Sequence, residues 1–216
     1  MDNVIVLFSN LKGGTGKTTL CSLFSTFCVE NSIPVAVLDA DTQLSLFHNR
    51  QSDLWRDGIK TPWNVFRFRV DDTVEERLKK VKRNPFVIVI DCPGTVDNPW
   101  LQHIFRAADI AVMPFRFDHM NVRETTTFAN LFTRIGKARI FFQPNLVTQY
   151  DDKRESLRLA MEAANRDLTK YGRILPGIAD CLAVRDSNTL GMNYKQRSAV
   201  RNGFTPIIEE IKKLRA

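Results

Sequence analysis

Apolar residues in this 216-residue chain follow two rhythms. Short apolar runs at 4–8, 35–38, 86–90, 110–115 and 138–143 read as strands, and the run at 86–90 is apolar throughout, as a central parallel strand buried on both faces has to be. Between them, apolar positions return at helical spacing over 18–30, 44–61, 73–83, 121–135, 152–171 and 206–214. Residues 63–70 alternate apolar with polar, the pattern of a half-exposed edge strand protected by Arg67 and Arg69. A last short strand is expected within 174–179, and Gly172 is expected to stop the helix before it. This succession predicts one α/β domain over 1–216: a mostly parallel twisted sheet flanked by helices on both faces.

Composition agrees with a single packed domain, because 44% hydrophobic residues suffice for one core. Cys21, Cys28, Cys92 and Cys181 show no C-x-x-C spacing, so neither a disulfide framework nor a zinc site is expected, and a reducing cytoplasm is the simplest address. No apolar run approaches the length that spans a bilayer. A net charge of +7 opens the possibility of a polyanionic partner, and the placement of the cations has to decide it.

The chemistry gathers behind the first strand, in Lys12-Gly13-Gly14-Thr15-Gly16-Lys17-Thr18-Thr19. Glycines at 13, 14 and 16 let backbone N–H groups turn around an anion, and the helix that follows aims its positive end at the same spot. A triphosphate fits there. Lys17 is placed to reach the β- and γ-phosphates and the Thr18 hydroxyl to hold Mg²⁺, so ATP and Mg²⁺ are the expected ligands. Asp91 closes the apolar run 86–90 as a Walker B carboxylate does, and Gly94, in the Pro-Gly turn behind it, is a candidate sensor of the γ-phosphate. Asp39 and Asp41 end the strand 35–38 and face the same crevice, whereas Cys92 reads as filler.

One departure sharpens this assignment. Leu11 stands at the first glycine position of G-x-x-x-x-G-K-[ST], and Lys12 follows it. The loop thereby resembles the deviant Walker A motif, KGGxGKT, of the ParA/MinD family, and in size the chain is nearest the small ParA-like plasmid partition proteins. The resemblance implies a nucleotide-sandwich homodimer in which Lys12 reaches the phosphates bound by the other subunit. A second cation suits phosphoryl transfer, where a trans-acting arginine contributes about 10³–10⁵ in rate. The segment Asp39-Ala40-Asp41-Thr42-Gln43 is similar to the family's D-x-D-P-Q, with Thr42 in place of proline. On that match Asp41 positions the attacking water and Asp39 supports the magnesium shell. Family members also read adenine with a polar amide past the strand 138–143, which makes Gln143 or Asn145 a candidate; Asn145 serves equally well as a turn residue. Of the family's P-x-x-P-S-x-x-D segment only Pro114 is kept, with Phe117, Asp118 and Asn121 at the other positions.

Relatives bind DNA non-specifically near the C-terminus, where this chain gathers Arg185, Lys195, Arg197 and Arg201 beside Tyr194. These cations suit phosphate contacts more than base reading, and a solvated basic face is the other interpretation. Taken together, the resemblance implies an ATPase that dimerises on ATP, holds DNA through a doubled basic surface and hydrolyses slowly. A ParB-like centromere-binding partner would stimulate it, in the cytoplasm and associated with the nucleoid, to segregate a plasmid or mobile element. Two alternatives from the same superfamily are a MinD-like membrane-cycling regulator and a metabolic or cofactor-maturation ATPase. The terminal stripe of Ile207, Ile208, Ile211 and Leu214 is short and lacks a bulky aromatic, so docking on the sheet is expected rather than membrane contact.

Overall fold

The computed structural model describes residues 3–57, 60–148 and 154–216. Seven strands make one sheet: β1 (Ile5–Phe8), β2 (Val35–Asp39), β3 (Asn64–Arg67), β4 (Val87–Asp91), β5 (Ile110–Phe115), β6 (Arg139–Pro144) and β7 (Arg173–Ile174). Their order is β3-β2-β4-β1-β5-β6-β7 and every pairing is parallel. The connecting helices are α1 (Lys17–Glu30), α2 (Ser45–Asp57), α3 (Val74–Val81), α4 (Leu101–Ala107), α5 (His119–Ile135), α6 (Glu155–Leu168), α7 (Leu182–Arg185) and α8 (Tyr194–Arg215).

Continuous apolar runs are what this architecture demands, because successive side chains of one strand enter different cores. In β1, Val6 and Phe8 join α1, α7 and α8 on one face, while Ile5 and Leu7 join α3, α4, α5 and α6 on the other. Strand β1 lies between β4 and β5, and the chain leaves it at its C-terminal end, beside the ends of its neighbours. A crevice at such a topological switch point is where open α/β sheets bind ligands.

Four elements differ from expectation. The edge strand is confined to Asn64–Arg67, since Trp63 and Phe68 on either side turn into the two cores. Helix α4 is a short segment anchored by Leu101, Ile104 and Phe105, too brief for a helical period to stand out in the sequence. Helix α6 ends at Leu168, and Gly172 serves packing instead: a Cβ there would collide with the Ile140 carbonyl oxygen. The N-terminal end expected for that helix, at 152–153, lies outside the described residues.

The largest correction concerns the C-terminal helix, which begins twelve positions earlier than expected, at Tyr194 rather than Pro206. Its start is set by a capping box in which Asn193 and Gln196 exchange side-chain and backbone bonds. Pro206 sits inside it and costs about 3 kcal/mol in a helix interior. Burial of Val200, Phe204, Ile207, Ile208 and Ile211 on both sides of the proline offsets that cost. The terminal aliphatics are therefore core residues, as expected, except Leu214, which is exposed. No helix among the described residues is long and apolar enough to cross a membrane.

Candidate nucleotide-binding site

The buried end of β1 delivers the chain into a loop whose shape depends on glycine. Gly14 and Gly16 have φ of 71° and 87°, the left-handed region that favours a residue without Cβ. Gly16 caps α1, and a Cβ on it would collide with the Asn145 amide nitrogen, whereas a Cβ on Gly13 or Gly14 would meet nothing within 4 Å. The loop is thus braced behind and open in front. Asn10 adds a second brace by donating its side-chain amide to the Pro114 carbonyl and the Thr125 hydroxyl, each at 2.8 Å.

Lys17, the first residue of α1, points into this opening, with its amine 3.4 Å from the Lys12 carbonyl oxygen. A Cβ on Gly94 would lie 3.2 Å from the same amine, so the loop after β4 and the phosphate loop meet at Lys17. Burial lowers the Lys17 pKa, while the charges of Asp91 and Asp41 hold the ammonium form against it. Asp91, paired in register with Phe8 and Asp39, is 1% exposed, and neither carboxylate oxygen closes a hydrogen bond. Burial pushes its pKa up to about 7; the nearby Thr18 hydroxyl works in the opposite direction without completing a bond. An orphaned buried carboxylate beside a threonine hydroxyl and an ammonium is a donor set that suits a magnesium–phosphate ligand.

Asp39 ends β2 in register with Asp91. Its two oxygens accept backbone N–H groups, from Asp41 at 3.2 Å and from Phe47 at 2.9 Å, so it ties the loop 40–44 to the first turn of α2. Burial still raises its pKa. Asp41 itself accepts from the Gln43 N–H, at 3.0 Å, and lies within electrostatic reach of Lys17.

Lys12 stands apart from this group. Its amine contacts the Met120 sulfur at 3.2 Å and Glu124 at 3.6 Å, both on α5, and is not turned back over its own loop. Gln143 is fully buried and gives its amide to the Pro144 and Pro176 carbonyls, under Gly203 of α8. Asn145 gives its amide to the Thr15 carbonyl at 2.9 Å. Both candidates for base recognition therefore have their donors engaged within the protein, and Asn145 acts on the phosphate loop as a strut. Cys92 is buried against the site with its thiol pKa pushed well up, which fits filler.

A cavity of about 730 Å³ opens next to Thr18 and Thr19, between α1, α2 and the segment 185–189. That volume is within the usual range for a small-molecule site. Its far wall rests on a cluster that has no local signature in the sequence. Arg50 of α2, 2% exposed, lies over the Trp63 ring and donates to the hydroxyl and carbonyl of Thr189, each at 2.8 Å, while Asp53 accepts from the Thr189 N–H and hydroxyl. These partners are 136 and 139 positions apart, so only the folded chain brings them together.

The four basic candidates near the C-terminus fall into two pairs. Arg185 is bound to Asp180 and Arg197 to Glu30, at 2.6 Å and 2.8 Å, whereas Lys195 and Arg201 are exposed on α8 and form no ion pair among the described residues.

The sheet order, the glycine loop and the buried Asp91 define a P-loop nucleotide-binding fold. Over residues 6–193 the chain matches the family described as CobQ/CobB/MinD/ParA nucleotide binding domain, and it belongs to that family of ParA/MinD-type ATPases. A curated relative, "Protein ParA" of Rhizobium radiobacter, is 26% identical over 115 residues, 52% of this chain and 48% of that protein. The chain thus spans about half the length of that relative. The "Maintenance of carboxysome distribution protein A" of Halothiobacillus neapolitanus is 25% identical over 157 residues, 71% of this chain and 69% of the other. Among solved structures, a putative plasmid partition protein from Borrelia burgdorferi bound to AMPPNP superposes with a TM-score of 0.76 at 16% identity, covering 97% of this chain and 100% of that one. The septum site-determining protein MinD of Pyrococcus horikoshii complexed with Mg-ADP gives 0.69 at 20%, covering 100% and 98%. These structures share the fold.

Proposed function

We propose that the chain is a DNA-partitioning ATPase that dimerises on ATP and binds DNA without sequence preference while dimeric. The observation that carries this reading is the split between the two loop lysines. Lys17 lies in the crevice with Asp91, and Lys12 lies outside it on α5, where a second subunit can be met.

In the proposed cycle the backbone of 13–16 and Lys17 bind the phosphates, and the nucleoside extends into the cavity beside Thr19. Magnesium would be held by the Thr18 hydroxyl and Asp91 and would supply neutralisation of the phosphate charge. Asp41 orients the attacking water. Lys12 of one subunit stabilises the charge that develops on the other subunit's γ-phosphate. Dimerisation doubles the Lys195 and Arg201 surface. One weak patch binds DNA with a Kd near ~10⁻⁴–10⁻⁶ M, and two patches held together gain through effective concentration, so binding becomes gated by ATP.

The test is retention of duplex DNA of arbitrary sequence with ATP and with ADP. Retention with ATP only, lost as salt is raised, is expected; equal retention with ADP, or none at low salt, refutes the proposal. Likeness to the ParA protein of Rhizobium radiobacter and to the plasmid partition protein of Borrelia burgdorferi supports the partition role, and by the same likeness the partner that triggers hydrolysis is a ParB-like DNA-binding protein. Membrane cycling is the weaker alternative, because Ile207, Ile208 and Ile211 are spent in the core.

A further inference from the structure

A second cavity, of about 550 Å³, lies beyond the C-terminal ends of β2, β3 and β4. Two of its walls are the loops assigned above to the nucleotide: 40–44, which carries Asp41, and the stretch from Pro93 to Asn98 behind Asp91. Leu44, Phe68, Val70 and Leu101 give it an apolar interior. Beside it runs β3, the outermost strand, which among the described residues pairs with β2 alone and leaves its other edge unpaired.

Two arginines, Arg67 and Arg69, and two aspartates, Asp41 and Asp71, line its rim. Arg67 and Arg69 are both exposed there, and Arg67 is held over the Phe47 ring at 4.3 Å. The neighbouring acid, Asp71, is already engaged by the Thr73 hydroxyl and by Arg77 at 3.3 Å, with Arg69 at 3.6 Å. Each feature selects something of an occupant: an unpaired strand edge accepts extended backbone, the interior accepts an apolar side chain, and the arginines accept carboxylates.

We propose that this cavity docks an extended acidic segment of a partner protein, which adds to the edge of β3, seats one apolar side chain between the two loops and faces Arg67 and Arg69 with its carboxylates. An occupant held between these loops binds differently as they change shape with nucleotide, and it biases their shape in return. The site therefore reads and tunes the nucleotide state from the side of the sheet away from β5 and Lys12. This coupling rests on the assignment of the two loops to the nucleotide.

The probe is a fluorescein-labelled short peptide of alternating glutamate and leucine, compared by anisotropy with its lysine–leucine counterpart. Preferential binding of the acidic peptide is expected, with affinities that differ about fivefold or more between AMPPNP and ADP. Val70→Trp, which fills the cavity from within, should abolish binding. The surface pair Arg67→Glu with Arg69→Glu, which leaves the core untouched, should weaken it about tenfold. Equal binding of the two peptides, no binding of either, or unchanged affinity in the arginine pair overturns the proposal, and equal affinity in the two nucleotide states overturns the coupling. Nucleotide binding is followed separately with N-methylanthraniloyl-ATP. A chain that fails to bind it refutes the functional reading, and one that binds it but not the acidic peptide refutes only the docking site.

Discussion

Asp91→Asn should make the nucleotide-free protein more stable, and increasingly so as pH rises. The wild-type carboxylate is 1% exposed, closes no hydrogen bond, and has its pKa raised from 3.8 to about 7. The folded state therefore holds a proton that the unfolded chain has already released, and stability falls as pH climbs from about 4 to about 7, then levels. A displacement of roughly three units corresponds to ~4 kcal/mol. Asparagine does not titrate, so this loss is absent from the variant, and carboxylates common to both proteins cancel in the difference. Part of the gain is returned, because Lys17 loses the attraction of Asp91 and a buried amide without partners carries its own penalty of about 1–3 kcal/mol. Urea unfolding of both proteins from pH 4.5 to 8 should show the variant gaining on the wild type by about 2–4 kcal/mol across that range. Saturating magnesium and ATP should narrow the variant's lead, since a ligand at a hundred times its Kd adds about 2.7 kcal/mol to the protein that binds it. A difference that stays flat with pH, or that moves against the variant as pH rises, would show that Asp91 is not the strained group the geometry makes it.

Other substitutions probe the rest of the site. Lys12→Gln should leave nucleotide binding by the monomer intact and remove the ATP dimer, and a dimer persisting in sedimentation velocity would exclude the cross-subunit role. Asp41→Ala should slow turnover by about 10²–10⁴ while the ATP dimer accumulates, and unchanged phosphate release would assign water positioning to another group. Gly16→Ala forces an alanine to a φ of 87° and its Cβ against Asn145, so it should cost more than the ~1–2 kcal/mol of left-handed backbone alone and abolish nucleotide binding by calorimetry. Lys195→Glu with Arg201→Glu should lower the salt dependence of DNA retention by about one unit for each phosphate contact removed, whereas Arg185→Ala and Arg197→Ala, whose charges are already paired, should change it less.

What the residues determined alone was the part of the molecule built from neighbours in sequence. Strand, glycine loop and helix follow one another within 5–30, so the phosphate site and the reach of Lys17 were legible from spacing, as was Asp91 at the end of its apolar strand. The alternation of apolar runs with helical periods likewise determined a parallel sheet covered on both faces, because a strand buried twice has no polar face to show. Everything that depends on distant segments was decided by the tertiary structure. Spacing could not show that α2 returns to give Asp39 the Phe47 N–H, or that the carbonyls of Pro176 and Thr15 take the amides of Gln143 and Asn145. Pro206 looked like the start of a helix, which is what proline does where local rules govern; a core on both sides of it outweighed the lost hydrogen bond. The Arg50–Asp53–Thr189 cluster left no trace in the sequence at all, because its partners are more than a hundred residues apart and meet only once the sheet has brought α2 and the approach to α8 to the same edge of the crevice.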